Sequence, residues 1–431
     1  MKMKAINPVR LILFFVVMLF LGGSTFAQQD TLTIEKCIDI ALKNNPQLRI
    51  AENSYELSSS NLTGVRSALF PQISLQSSFA KNGGTFFFGP TARPADYENY
   101  AVGFQAQQLV FDFGKTFSRL SATADLKNAS LQDLISAKQN LILNTYLAYF
   151  SYLQAERIQK VNLESLLQAK EHLDQAEKFY EVGKKPQFDV LKAKTDEANA
   201  KVNLITSQNN LIVSKLQLEN VLNTKLGDNF QLKDNLELSK DTVSLDHAMR
   251  ISYLNRPELI GGKYRVEANK SFVTSAWTAN LPTISATGGY TWRGYALNQN
   301  FLNSWNIGLS FSLPLFQGFA LDAGIDQAKA NLNIAEAQYD YSLQTVNLDV
   351  QQQYASVKLA LAKIDATKSL VQQAEEAFKL AEARYKEEVG SPIEITDAQV
   401  TLLNAQMTHI QSLYDYQVAY VRLQKAMGVL R

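Results

Sequence analysis

Cysteine is almost absent from this chain of 431 residues. Cys37 stands alone, which excludes an intrachain disulfide and any cysteine-based zinc site. Histidine is nearly as scarce: His172, His247 and His409 are far apart and show no metal-ligand spacing. Each reads as a helix-surface or packing residue, and no metal site is expected. Charge of one sign is not in excess either, with 42 Lys and Arg against 41 Asp and Glu. A nucleic-acid partner would favour a basic patch or stripe, so none is expected. No nucleophile–base constellation, phosphate-binding loop or metal cluster appears. That argues against an enzyme and leaves no cofactor to expect.

Glycine and proline are missing from two long stretches, 115–182 and 325–389. Without those helix breakers, each stretch continues as one helix, and at 1.5 Å per residue each would reach roughly 100 Å. No ordinary globular core accommodates that length. The second stretch carries an apolar or small-residue stripe at Tyr339, Leu343, Val346, Val350, Tyr354, Val357, Leu361 and Ile364. It resumes at Val371, Ala374, Phe378, Ala381 and Tyr385. Gaps of three and four are the seam of a coiled coil. The other faces are rich in Gln, Asn, Ser and Lys, which suits helices wet on both sides. A solvated coiled-coil scaffold or adaptor reads the same way.

The first 27 residues form a segment of a different kind. Lys2, Lys4 and Arg10 precede an apolar run from Leu11 to Leu21, and Thr25-Phe26-Ala27 supplies small residues for cleavage. This is the pattern of a secretory signal peptide. The apolar run is short of the approximately twenty residues a spanning helix needs. Removing it leaves 39 Lys and Arg against 41 Asp and Glu.

What is there in abundance is repetition. Leu32-Thr33-Ile34-Glu35 through Asn45-Pro46-Gln47-Leu48 matches Val243-Ser244-Leu245-Asp246 through Arg256-Pro257-Glu258-Leu259, 211 residues on. Ala68 to Ser74 matches Ala279 to Ser285 at the same offset. Further along the offset is 205: Gly103 meets Gly308, Phe111 meets Phe316, Tyr180 meets Tyr385, and Asp189-Val190 meets Glu394-Ile395. One loop is therefore six residues shorter in the second half. The expected units are 28–240, with a β-hairpin at 70–111 and a helical hairpin at 115–226, and 241–431, with a β-hairpin at 282–316 and a helical hairpin at 325–427.

Four segments alternate with a period of two, as strands do. Ile73, Leu75 and Phe79 alternate with Gln72, Ser74, Gln76 and Ser78; Tyr100, Val102 and Phe104 alternate with Ala101, Gly103 and Gln105. Ile284, Tyr290 and Trp292 then alternate with Ser285, Thr287 and Thr291, and Trp305, Ile307, Leu309 and Phe311 with Asn306, Gly308 and Ser310. About ten alternating residues with aromatics toward the ends is the signature of a transmembrane β-strand. A soluble half-buried sheet alternates equally well. The intervening segments Asn82–Tyr97 and Gly294–Asn303 read as loops facing the exterior. Pro71, Pro282 and Pro314 fall where strand meets helix, and proline interrupts both ladders there. Leu109 stands opposite Pro314, so the two junctions differ.

Four strands cannot close a barrel, since single-chain outer-membrane barrels begin at eight. An open edge in lipid costs several kcal/mol per unpaired group. If the strands span a membrane, several chains must pool them in a closed ring.

With its duplicated order of short helices, hairpin, long helix and return helix, the mature chain resembles the TolC family of outer-membrane efflux and secretion channels. The resemblance rests on Asn45-Pro46-x-Leu48 and Arg256-Pro257-x-Leu259. It rests also on the turns from Phe179-Tyr180-x-x-Gly183 to Asp189-Val190-Leu191-x-Ala193, and from Arg384-Tyr385 to Glu394-Ile395-Thr396-Asp397-Ala398-Gln399. It implies a mixed, mainly α fold in a homotrimer of the Gram-negative outer membrane. Each subunit would add four transmembrane strands to a shared 12-stranded β-barrel and long helical hairpins to a periplasmic tunnel. The implied partners are a periplasmic adaptor (membrane fusion) protein and an inner-membrane pump of the RND or ABC class, with outer-membrane lipid around the barrel. The family's acidic constriction maps to Glu394 and Asp397. Tyr385 matches a tyrosine that tethers the inner coil to its neighbour when closed, with Asp189 as its candidate partner. The tip turns, Gly183, Lys184, Lys185 and Pro186 with Gly390, Ser391 and Pro392, would meet the adaptor. Family members carry an arginine where this chain has Gly390; Lys184 and Lys185 are the available replacements.

Overall fold

The computed structural model of the protein describes residues 31–88, 90–227, 230–234, 243–295 and 300–431. The expected signal segment, 1–27, lies outside the described residues. The first half runs β1 (Thr31–Leu32), α1 (Ile34–Asn44), α2 (Pro46–Arg66), β2 (Gln72–Phe88), β3 (Thr91–Phe111), α3 (Lys115–Glu181) and α4 (Gln187–Leu222). After β4 (Gln231–Leu232), the second runs α5 (Leu245–Asn255), α6 (Pro257–Thr278), β5 (Thr283–Gly294), β6 (Leu302–Ser312), α7 (Ala320–Lys386) and α8 (Pro392–Ala426). Among the described residues no helix is long and apolar enough to cross a membrane.

The Asn-Pro and Arg-Pro pairs mark corners between short helices. Asn45 ends α1 and caps α2, its side-chain oxygen accepting from the Gln47 N–H at 2.9 Å, and Pro46 takes the first helical position. Proline is tolerated there because that N–H has no partner in a helix anyway. Arg256 replaces Asn45 in the second half and has no capping oxygen. Its buried guanidinium instead reaches Asp349 of α7 at 2.9 Å and Glu258 at 3.2 Å. The same corner is thus tied to the long helix by charge rather than capped.

Strands β2, β3, β5 and β6 form one antiparallel sheet in chain order. The register pairs Leu75 with Phe104, Phe104 with Tyr290 and Tyr290 with Trp305. Ile73, Phe79, Val102, Trp292, Ile307 and Leu309 share their face. Gln76, Gly103, Thr291 and Ser304 form the row beside it, on the opposite face. One face is therefore apolar across all four strands and exposed in the subunit, Ile307 being 82% accessible. Where the faces need close approach, glycine stands: a Cβ on Gly103 would lie 2.7 Å from the Tyr290 carbonyl oxygen.

Three boundaries differ from those expected from sequence. Asn82–Phe88 and Thr91–Tyr97 are strand rather than loop, because β2 and β3 continue as a ribbon to the Phe88–Thr91 pair, residue 89 lying outside the described residues. Aromatic and Thr residues favour extended backbone, and in a two-stranded ribbon Pro94 leaves no central ladder to interrupt. Gly294, Leu302 and Asn303 likewise belong to strands, while 296–299 lie outside the described residues. The long second-half helix starts at Ala320, ahead of the expected 325, with Gly324 inside it. At the strand ends, β3 reaches Phe111 through a bulge, whereas β6 stops at Ser312, two residues before Pro314. Proline has no N–H for the ladder. Both halves then enter the long helix through two left-handed residues, Phe113-Gly114 and Gly318-Phe319, with glycine and phenylalanine exchanged.

The helices α3 and α7 have 67 residues each, roughly 100 Å at 1.5 Å per residue. Each packs on its return helix, α4 or α8. The seam of α7 is the expected one: Val346, Val350, Val357, Ile364, Ala374, Ala381 and Tyr385 are buried. The main core lies midway down, where α1 and the return helices close on α3. Cys37, Tyr149, Leu153, Leu218, Leu222 and Tyr414 pack together there.

Candidate functional site at the helical tips

The far ends of the hairpins bring most of the sequence-derived site residues together. The first turn is made by Gly183, whose φ of +75° favours glycine. The N–H groups of Lys184 and Lys185 return to the Phe179 carbonyl, and Pro186 precedes α4. In the second turn the left-handed position is Glu388, at φ +64°. The offset of 205 therefore pairs Gly183 with Glu388, and Gly390 with Lys185. Gly390 is needed for another reason: its N–H donates to the Arg384 carbonyl, and a Cβ would lie 2.9 Å from the Tyr385 nitrogen. Ser391 caps α8, its hydroxyl accepting from the Ile393 N–H at 3.2 Å, and Pro392 opens that helix.

The turns touch each other. Lys184 Nζ lies 2.5 Å from a Glu388 carboxylate oxygen, and Lys185 Nζ lies 3.5 Å from the Gly390 carbonyl oxygen. The two lysines thus place positive charge on the second turn. Behind them Tyr385 is fully buried, packed with Ala381, Ile395, Phe179 and Phe378. Lys185 Nζ stands 5.0 Å from its ring centroid, and the His172 ring meets it edge to face at 4.9 Å. Tyr385 therefore joins α7 to α3 of the first hairpin within one subunit.

Asp189 is buried too, 4% exposed, but it does not hydrogen-bond Tyr385. The Tyr385 hydroxyl has no hydrogen-bond partner among the described residues. Burial, and secondarily the Asp189 carboxylate, push the Tyr385 hydroxyl up to about 12, so it stays neutral. Glu394 is exposed and pairs with Arg384 at 3.3 Å. The basic residue for this acid is thus Arg384, six residues before the Gly390 position that raised the question. Asp397 is exposed, one turn further along α8 on the same side as Glu394.

Several participants escaped the sequence reading. His172 has no sequence pattern to distinguish it from a surface or packing residue. Lys192 pairs with Asp196 on α4, and the Thr396 hydroxyl donates to that Asp196 at 2.6 Å, tying α4 to α8. Gln399 adds a bond from its amide to the Ser165 carbonyl. The offset of 205 does not predict the contacts of His172, Thr396 and Gln399, because they run between the halves. At the opposite end, Pro71 and Pro282 immediately precede β2 and β5. Among the described residues no cluster of His, Cys, Asp and Glu is placed to hold a metal.

An edge-exposed sheet with one apolar face, carried on helical hairpins roughly 100 Å long, defines a subunit of an outer-membrane channel with a helical tunnel. The chain belongs to the outer membrane efflux protein family, whose model matches residues 37–224 and 251–429. It is 24% identical over 430 residues to outer membrane protein TolC of Escherichia coli K12, across 95% of this chain and 84% of that one. It is 26% identical to the toluene efflux pump outer membrane protein TtgC of Pseudomonas putida, across 92% and 82%. The solved Campylobacter jejuni CmeC outer membrane channel shares the fold, with a TM-score of 0.81 at 22% identity, covering 92% of this chain and 85% of that one. The protein is thus an outer-membrane exit duct of an efflux system.

Proposed function

We propose that three copies of this chain pool their strands into one 12-stranded barrel, continued below the membrane by a helical tunnel. The observation that carries this reading is the four-stranded sheet, with β2 and β6 unpaired at its edges and an apolar face spanning all four strands. In lipid both edges must be paired, and a closed ring of identical subunits does so. Residues 1–27 serve as the cleaved signal, followed by repeat units 28–240 and 241–431. The protein acts as a passive conduit rather than an enzyme. A periplasmic adaptor docks at the tip turns, Gly183 to Pro186 and Gly390 to Pro392, and an inner-membrane RND or ABC pump drives transport.

The periplasmic end is the gate. Three copies each of Glu394 and Asp397 would put up to six carboxylates around the axis, drawing cations and divalent blockers. Tyr385, packed against α3 with the Asp189 charge nearby, holds the second hairpin against the first. Single-channel recording in a planar bilayer tests this. The parent is expected to give a small, cation-selective current blocked by divalent ions, and the Glu394→Ala, Asp397→Ala double variant to lose the block. Undiminished block in a correctly assembled variant removes the gate assignment. No current from either protein, despite confirmed insertion, favours a scaffold without a pore.

A further inference from the structure

The joint between the hairpins holds a titratable group that the gate reading does not use. His172 on α3 packs edge to face against Tyr385 on α7, so the ring pair spans the seam along which the two tips would part. Tyr385 has no hydrogen bond from its hydroxyl among the described residues. Ring packing, not a polar bond, is what fixes it. Beside the pair opens a cavity of about 370 Å³, lined in part by His172, Phe378 and Ile395, so the histidine has space to leave its seat.

We propose that His172 is a proton-sensitive latch: neutral, it packs on Tyr385 and holds the two hairpins of a subunit together; protonated, it leaves the joint and the tips separate. The latch itself stands on this geometry. Only its effect on conduction rests on reading the tip as the gate.

The sign follows from the groups around the imidazole. Burial is the largest influence and disfavours the charged ring, and Lys192 of α4 adds to that. Asp196 and Asp189 of α4 and Glu382 of α7 favour the charged ring without reversing the balance, so packed His172 titrates below 6.5. Glu171 and Asp174 of α3 and Lys386 of α7 line the same cavity, and Lys185 faces the Tyr385 ring. Once released into water, His172 regains about 6.5. A group whose pKa is lower in the packed state contributes its full stability above the free value. That contribution is lost as pH falls from the free value toward the packed one. The joint therefore holds at neutral pH and loosens in acid.

Spin labels read this directly. In a Cys37→Ala background, Val182→Cys and Val389→Cys place one label on each tip turn, at exposed positions. The full-length protein, co-expressed with excess unlabelled chain, is measured by double electron–electron resonance at pH 8 and pH 5.5. The parent is expected to gain a longer-distance population in acid, growing by about threefold or more, with a midpoint below 6.5. His172→Phe, which keeps a ring against Tyr385, is expected to hold one short distance at both pH values, and His172→Gln, which lacks the ring, to give a distribution that does not change with pH. An unchanged parent distribution overturns the proposal, and so does an equal shift in both variants. Bilayer recordings on the same proteins separate the two readings: tips that part in acid without any change in current uphold the latch and remove the gate.

Discussion

The two helical tips are copies in sequence and opposites in environment. Tyr180 and Tyr385 correspond at the 205-residue offset, yet Tyr180 is 46% exposed and Tyr385 fully buried. Asp189 and Glu394 also correspond, but here the first-half residue is buried and the second-half one exposed. A duplicated segment repeats its backbone path, but burial depends on what each copy packs against. The second hairpin packs its tyrosine against α3, and the first buries its aspartate near enough for its charge to act on the Tyr385 hydroxyl. The other copy of each faces outward. The buried tyrosine thus packs between the hairpins, while the acids Glu394 and Asp397 stay exposed at the surface.

Truncating the two tyrosines would sharpen this contrast most. Tyr385→Ala empties a fully buried aromatic site and is expected to cost about 3 kcal/mol of local stability. Tyr180→Ala, half exposed, should cost well under about 1 kcal/mol. Hydrogen exchange across 378–395 measures both, since opening of the tip appears there without global unfolding. Equal protection in the two variants would break the comparison.

The turns form a second contrast. Gly390→Ala pushes a methyl group into the Arg384–Tyr385 backbone and is expected to cost about 1–3 kcal/mol. Gly183→Ala, at positive φ, should cost about 1–2 kcal/mol. Glu388→Gly relieves the same left-handed strain in the other copy and should be neutral or stabilising by up to about 1 kcal/mol. Exchange rates of the turn amides order the three, and a destabilised Glu388→Gly would show that its side chain outweighs the strain.

Much of the architecture was legible because it is written in period and repetition. Alternation in the strands gave the apolar face with its phase intact, and gaps of three and four gave the α7 seam through Tyr385. Missing glycine and proline gave α3 almost to the residue and most of α7, which begins ahead of Gly324. What failed was local. The β2–β3 ribbon continues through Asn82–Phe88 and Thr91–Tyr97 because backbone pairing overrode residues that punctuate loops elsewhere. Both tip turns contain a glycine, but Gly183 supplies positive φ and Gly390 close approach, a difference no spacing marks. The site residues Tyr385 and Asp189 converge, yet their chemistry does not follow from sequence. His172 enters from a helix roughly 210 residues away in the chain, and no periodicity marks it.

The smallest effect concerns the charges that cross between the turns. Lys184 and Glu388 are an ion pair with both side chains about half exposed, 52% and 42%. Solvent screens such pairs, and side-chain ordering offsets the remainder, so Lys184→Met is expected to cost no more than about 1 kcal/mol. Its effect should shrink as salt rises, because exposed charges are screened within a Debye length. The tyrosine effect should persist, since burial of a ring is not an electrostatic quantity. Measuring tip exchange for Lys184→Met and Tyr385→Ala at low and high salt therefore decides what holds the hairpins. A salt-independent Tyr385 effect beside a vanishing Lys184 effect assigns the joint to packing, with the surface pair only orienting the turns. A dominant, salt-sensitive Lys184 effect would instead make the joint electrostatic, and the buried and exposed copies would have exchanged roles.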